Sequence, residues 1–144
     1  LTVVGDGPDR EMVMNMIRTR SGIAFKGAIE RPRLLELMKQ HRGLVFPSQW
    51  FEVAPQIVTE AMSAGLPVVA DKANLVSQLV KRTNTGASYG TPEELGESLR
   101  ATSHNLNELS ESARRLYERD WTKDVWLRRI GTAYSKIVAE GKRV

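Results

Sequence analysis

Short apolar runs and helical patterns alternate along residues 1–94, and this order limits the fold more than any single motif does. Residues 1–4, Leu-Thr-Val-Val, form an apolar run closed by Gly5-Asp6-Gly7-Pro8. Residues 9–20 place Met12, Val13, Met16 and Ile17 on one helical stripe. A second short run covers residues 23–25 and ends at Lys26-Gly27. Pro32 suits the first turn of a helix carrying Leu34, Leu35, Leu37 and Met38. Residues 43–46 form a third run, stopped by Pro47-Ser48. A helix over residues 55–64, ended by Gly65, leads to a fourth run at residues 67–70. A short helix over residues 75–81 precedes a fifth run at residues 87–89. Thr91, Pro92 and Glu94 then form a capping-box helix start, and no strand pattern returns. Two further helices are expected over residues 107–119 and 123–140. The alternation predicts an α/β fold, a parallel sheet with helices on both faces and additional C-terminal helices.

In such sheets ligands bind beyond the carboxyl ends of the strands. The turns that matter therefore span residues 5–8, 26–29, 47–55 and 71–74. Residues 47–70, PSQWFEVAPQIVTEAMSAGLPVVA, carry the most chemistry. With Pro55 in the first helical turn, Glu52 lies in the loop ahead of the helix and Glu60 about one and a half turns inside it. The open backbone amides near Gln56 and Ile57 lie between the two carboxylates. Those amides and the helix dipole favour a phosphate. A diphosphate flanked by hydroxyl-bearing rings suits the pattern, since each carboxylate accepting hydroxyl hydrogen bonds contributes about 1.5–3 kcal/mol. Two arbitrary glutamates are more often a solvated loop residue and a helix-surface residue. The Ala61-Met62-Ser63-Ala64-Gly65-Leu66-Pro67-Val68-Val69-Ala70 continuation makes the functional reading the stronger one.

That segment resembles the C-terminal domain of family 4 glycosyltransferases with the GT-B fold. Their hallmark is two glutamates separated by seven residues, then a small-residue helix end and a Gly-x-Pro-Val-Val strand. Here these are Glu52, Glu60, Gly65, Pro67, Val68 and Val69. Val3-Val4-Gly5-Asp6-Gly7-Pro8, Ile23-Ala24-Phe25-Lys26-Gly27 and Leu44-Val45-Phe46-Pro47-Ser48 match other family strands and turns in order. Trp121 and Tyr134 fit its aromatic positions in the final helices. The resemblance covers essentially the whole chain and implies a Rossmann-like domain, the C-terminal half of a GT-B fold. It implies that Glu60 binds the ribose hydroxyls and Glu52 a hydroxyl of the transferred sugar. The region of Pro55, Gln56 and Ile57 then holds the sugar or diphosphate through backbone amides, with Gly5 and Gly7 in a donor-side turn. The Lys26-Gly27 turn, through Ile29, meets the base. The implied reaction is glycosyl transfer from a nucleotide-diphosphate sugar with retention, without a metal or other cofactor.

The family's Gly-Gly-x-Pro-Glu sequence after the Pro-Val-Val strand is replaced here by Ala73-Asn74-Leu75-Val76-Ser77-Gln78. Asp71 and Lys72 either contribute polar contacts to the donor or belong to a solvated loop. The replacement keeps open a non-catalytic nucleotide-sugar-binding module or regulatory subunit. The chain opens inside a strand. It is therefore expected to be a donor domain over residues 1–144, cut at its N-terminal edge and separated from an acceptor domain. By itself it should not turn over.

The remaining residues constrain partners. A formal net charge of +4 suits an anionic ligand but gives no dense basic stripe for nucleic acid. Without cysteine there is no disulfide framework and no thiolate metal site, which fits a cytoplasmic protein. His41 and His104 have no ligand-like spacing. Trp50 and Phe51 stack on a base, line a cleft, or pack on the core, with packing expected for at least one. Trp121 and Trp126 are expected to pack. Lys123, Arg128, Arg129, Lys136, Lys142 and Arg143 make the tail basic. That is a solvated face or, on the sharper reading, a peripheral contact with an anionic membrane or with the acceptor domain.

Overall fold

The computed structural model describes residues 1–52 and 54–141. Lys142 and Arg143 of the basic tail lie outside them. The chain forms two compact units, residues 1–37 and 38–144.

In the first unit, β1 (Thr2–Val3) pairs in parallel with β2 (Ala24–Phe25), with Thr2 opposite Ala24 and Val3 opposite Phe25. Between them lies α1 (Arg10–Ile17), shorter than the pattern over residues 9–20 suggested. Only half of the expected stripe is covered. Val13 and Ile17 are half-buried, while Met12 and Met16 remain more than half exposed. Two short strands offer little apolar area for a helix to cover. The helix α2 (Arg31–Met38) begins in this unit with Pro32 in its first turn. There a missing N–H removes no intrahelical bond.

The second unit holds a three-stranded parallel sheet of β3 (Leu44–Phe46), β4 (Val68–Asp71) and β5 (Gly86–Tyr89), in the order β3-β4-β5. Leu44 stands opposite Val68, and Val68 opposite Gly86. Central position explains why Val68, Val69 and Ala70 are all essentially inaccessible. The helices α3 (Gln56–Ser63), α4 (Leu75–Thr83) and α5 (Pro92–His104) each pack on the sheet. Behind α3 lies α6 (Leu106–Asp120), which also meets α7 (Lys123–Gly141). Val58, Ala61 and Met62 of α3, Val76 and Val80 of α4, and Leu109, Ala113 and Leu116 of α6 build the core with β4. The expected α/β architecture, parallel strands flanked by helices with extra helices at the C-terminal end, is the observed one.

The helix ends follow local rules. Gly65, at φ +74°, ends α3 in a left-handed turn, with Leu66 N–H donating to Ala61 O at 2.9 Å and Gly65 N–H to Met62 O at 3.0 Å. Asn84 plays the same part for α4 at φ 51°, and Thr85 N–H donates to Val80 O at 3.0 Å. This closure carries α4 two residues beyond the expected end at Lys81. At α5 the Thr91 hydroxyl accepts from Glu94 N–H at 3.3 Å, as expected. The reciprocal bond differs. Glu94 Oε2 accepts from Gly90 N–H at 2.6 Å and pairs with Lys72 Nζ at 2.6 Å. The Lys72 ammonium and the Gly90 amide hold the Glu94 carboxyl below its ordinary range.

Along α7 only Val125 is buried. Trp126 is 59% exposed, so it is not the packing residue the sequence suggested, while Trp121 is half-buried at the end of α6. Lys123, Arg128, Arg129 and Lys136 are exposed, as a solvated face requires. No described helix is long and apolar enough to cross a membrane.

Candidate functional site

In the second unit β3 ends at Phe46 and α3 begins at Gln56, so the loop between them starts at the carboxyl end of the strand. Glu52 is half-buried in this loop. The half-buried Ser48 donates its hydroxyl hydrogen bond to Glu52 Oε1 at 2.9 Å. The carboxylate is thereby tied back toward the end of β3. A carboxylate in this setting can accept further hydroxyl donors from a ligand.

Pro55 is buried and stands just ahead of α3 as its N-cap, at φ −66° and ψ 122°, rather than within the first turn. The extended ψ is the correction: the helix starts one residue later, at Gln56. A proline has no side-chain acceptor, so the N-cap residue of α3 makes no side-chain cap bond. The first amides of the helix, those of the exposed Gln56 and the half-buried Ile57, therefore open the positive end of the dipole. Glu60 is half-buried one turn further on. Val58, Ala61 and Met62 bury the other side of α3.

Trp50 and Phe51 do not pack on the core. They are 78% and 66% exposed. The loop is held instead by the buried Pro55 and by polar contacts. One of these was not singled out in the sequence. Asn74 is 1% exposed, caps α4 by accepting from Val76 N–H at 2.9 Å, and donates to Trp50 O at 2.5 Å. An asparagine directly before an apolar helical run is a capping signal, so half of its role was available in the sequence. Its long-range partner was not. Ser48 stood in the sequence as the end of the Leu44-Val45-Phe46-Pro47-Ser48 match, with nothing to mark it as the partner of Glu52. At the end of β4, Asp71 Oδ1 accepts from Ala73 N–H at 2.8 Å, and Lys72 is engaged by Glu94.

The first unit carries its own turns at the strand ends. Gly5 N–H donates to Gly27 O at 2.9 Å and Lys26 N–H to Val3 O at 3.0 Å. Asp6 accepts from Gly7 N–H at 3.0 Å and pairs with Arg10 at 2.8 Å. The Arg10 guanidinium lies 5.5 Å from the centroid of the Phe25 ring. Gly27 is buried and Ile29 half-buried, while Gly7 and Lys26 are exposed. The sequence-derived residues thus fall into two sets. Gly5, Gly7, Lys26, Gly27 and Ile29 belong to turns of the first unit. Glu52, Pro55, Gln56, Ile57 and Glu60 belong to one loop and helix of the second. Among the described residues no three His, Asp or Glu side chains cluster as a metal site.

Parallel strands with loaded turns at their carboxyl ends, flanked by helices, define a Rossmann-like α/β domain of the GT-B glycosyltransferase type. The chain belongs to the family described as glycosyl transferases group 1, whose sequence profile matches residues 1–119. It is similar to the glycosyltransferase WaaG, involved in lipopolysaccharide biosynthesis, at 28% identity and TM-score 0.66, over 87% of this chain and 34% of that one. It shares its fold with Alr3699/HepE of Anabaena, solved with UDP and glucose, at 20% identity and TM-score 0.77, over 94% of this chain and 40% of the other. Sucrose-phosphate synthase from Thermosynechococcus elongatus matches at 17% identity and TM-score 0.77, over 97% and 39% of the two chains. The chain therefore spans well under half the length of these structures. No curated protein matches it.

Proposed function

We propose that this chain is the C-terminal, donor-binding domain of a family 4 retaining glycosyltransferase, which moves a hexosyl group from a nucleotide-diphosphate sugar to an acceptor. The observation that carries the reading is the Ser48-held Glu52 carboxylate placed ahead of an α3 start whose N-cap residue, Pro55, offers no side-chain acceptor, with Glu60 on the same helix. Glu52 binds a hydroxyl of the transferred sugar at the reacting ring. Glu60 accepts from the ribose hydroxyls. The amides of Gln56 and Ile57, with Pro55 as the cap, hold sugar or diphosphate oxygens. In the first unit, the backbone of the Lys26-Gly27 turn through Ile29 contacts the base, and Gly5 and Gly7 keep their turn open to the donor. The protein's contribution is positioning and stabilisation of charge on an oxocarbenium-like sugar and a departing diphosphate. No metal takes part, so a chelator leaves turnover unchanged.

The acceptor is bound by a separate N-terminal domain, and the full-length protein works in the cytoplasm with a peripheral contact to an anionic membrane through the basic face of α7. The Anabaena relative was solved with UDP-glucose, which makes UDP-glucose the first donor to try. The test is a thermal-shift panel of UDP-, GDP- and ADP-glucose on the full-length protein, followed by transfer assays with Glu52→Gln and Glu60→Gln. Both variants should lose most of the activity, and NMR of the product should show an unchanged anomeric configuration. A second reading, a non-catalytic nucleotide-sugar-binding module, draws support from the replaced 73–78 segment. It predicts donor binding without hydrolysis or transfer.

A further inference from the structure

We infer that Asn74 is a positioning residue for the Glu52 loop, an inference that rests on the donor-site reading above. Among the described residues of the loop over 47–55, Pro55 alone is buried, at the end next to α3. The loop's two largest side chains, Trp50 and Phe51, are 78% and 66% exposed. Its backbone is instead fastened to the start of α4. Asn74 Nδ2 donates to Trp50 O at 2.5 Å, and Asn74 Oδ1 accepts from Val76 N–H at 2.9 Å. A backbone N–H only donates and a carbonyl only accepts, so these two partners fix which way the amide faces.

The anchored carbonyl lies two residues before Glu52, whose carboxylate is separately held by Ser48 at 2.9 Å. One bond sets the loop backbone and the other sets the side chain. Asn74 is itself 1% exposed, so it acts through the loop and not by touching a ligand. A loop fastened by this buried amide, with Pro55 buried at its far end, places Glu52 against the sugar with little freedom. Small displacements of a positioned group cost rate heavily.

The substitution Asn74→Asp separates the two duties. Aspartate keeps the acceptor that caps α4, since Asp and Asn are equally good N-caps. It loses the donor to Trp50 O. Asn74→Ser also keeps a cap, with a side chain too short to span both partners. In the full-length protein, with UDP and UDP-glucose as probes, both variants should bind UDP within about twofold of the parent and lose about tenfold in kcat for transfer. Amide exchange over residues 48–52 should quicken in both. Unchanged kcat in both variants overturns the inference, as does a parallel loss of UDP affinity and kcat, which marks a merely structural role. If the parent binds neither probe nor a GDP- or ADP-glucose, the donor-site reading itself fails and takes this inference with it. Normal parent turnover with unaffected variants overturns Asn74 alone.

Discussion

The Ser48 hydroxyl donates to Glu52 Oε1 at 2.9 Å from the same loop, so the carboxylate reaches its place before any ligand arrives. A hydrogen bond to a charged acceptor contributes about 1.5–3 kcal/mol. Ser48→Ala should therefore lower kcat/KM for transfer by about one to two orders of magnitude while leaving affinity for the bare nucleotide diphosphate unchanged. Steady-state kinetics of the full-length protein, paired with calorimetric titration of UDP, checks it. Equal losses in both quantities would place Ser48 in the fold and not in the site.

Much of this was legible in advance, for identifiable reasons. The order of strands and helices was readable because β4 is buried on both faces and reads as a continuous apolar run, Val68-Val69-Ala70. Gly65 announced the end of α3 because only a left-handed residue closes that turn. Contacts between distant segments left weaker traces. The 24-residue separation of Asn74 and Trp50 has no period or spacing that could reveal it. Trp50, Phe51 and Trp126 misled because large aromatics are buried on average, and only the tertiary arrangement leaves these three exposed. Glu94 was expected to complete a local box. Lys72, far away in sequence, supplied a charged partner instead.

Gly86 opens β5 directly opposite Val68. A Cβ placed there would lie 1.9 Å from Val68 O, which is backbone of the central strand and has no room to withdraw. Gly86→Ala should lower the free energy of unfolding by about 3 kcal/mol or more, at the upper end of overpacking costs. Urea denaturation followed by circular dichroism reads this directly. A change below about 1 kcal/mol would mean that the β4–β5 pairing adjusts easily.

Thr91 accepts from Glu94 N–H at 3.3 Å and begins α5. The bond is long, yet the residue also has the extended backbone of an N-cap, at φ −134° and ψ 162°. Thr91→Ala should destabilise the second unit by about 1 kcal/mol, the usual cost of a lost cap, and Thr91→Ser should restore most of it. Thermal unfolding of the two variants side by side separates loss of the cap from loss of the methyl group.

Asp120 joins the end of α6 to α7. Its carboxylate pairs with Arg119 and with Arg129 of α7, each at 2.6 Å. These guanidinium groups hold its pKa down from 3.8 to about 2. A carboxyl whose pKa is lower in the folded protein stabilises it above the unfolded value, and that stabilisation is lost as pH falls through the folded one. Both arginine side chains are more than half exposed, so solvent screening reduces the contribution to about 1 kcal/mol. Asp120→Asn should be less stable than the parent by about that amount at pH 7. The gap should begin to close near pH 4 and be gone once the pH is below about 2, where the parent carboxyl is also neutral. Urea titrations at pH 7, 4 and 2, at one fixed ionic strength, follow the gap. A difference that survived undiminished at the lowest pH would assign it to geometry and not to charge.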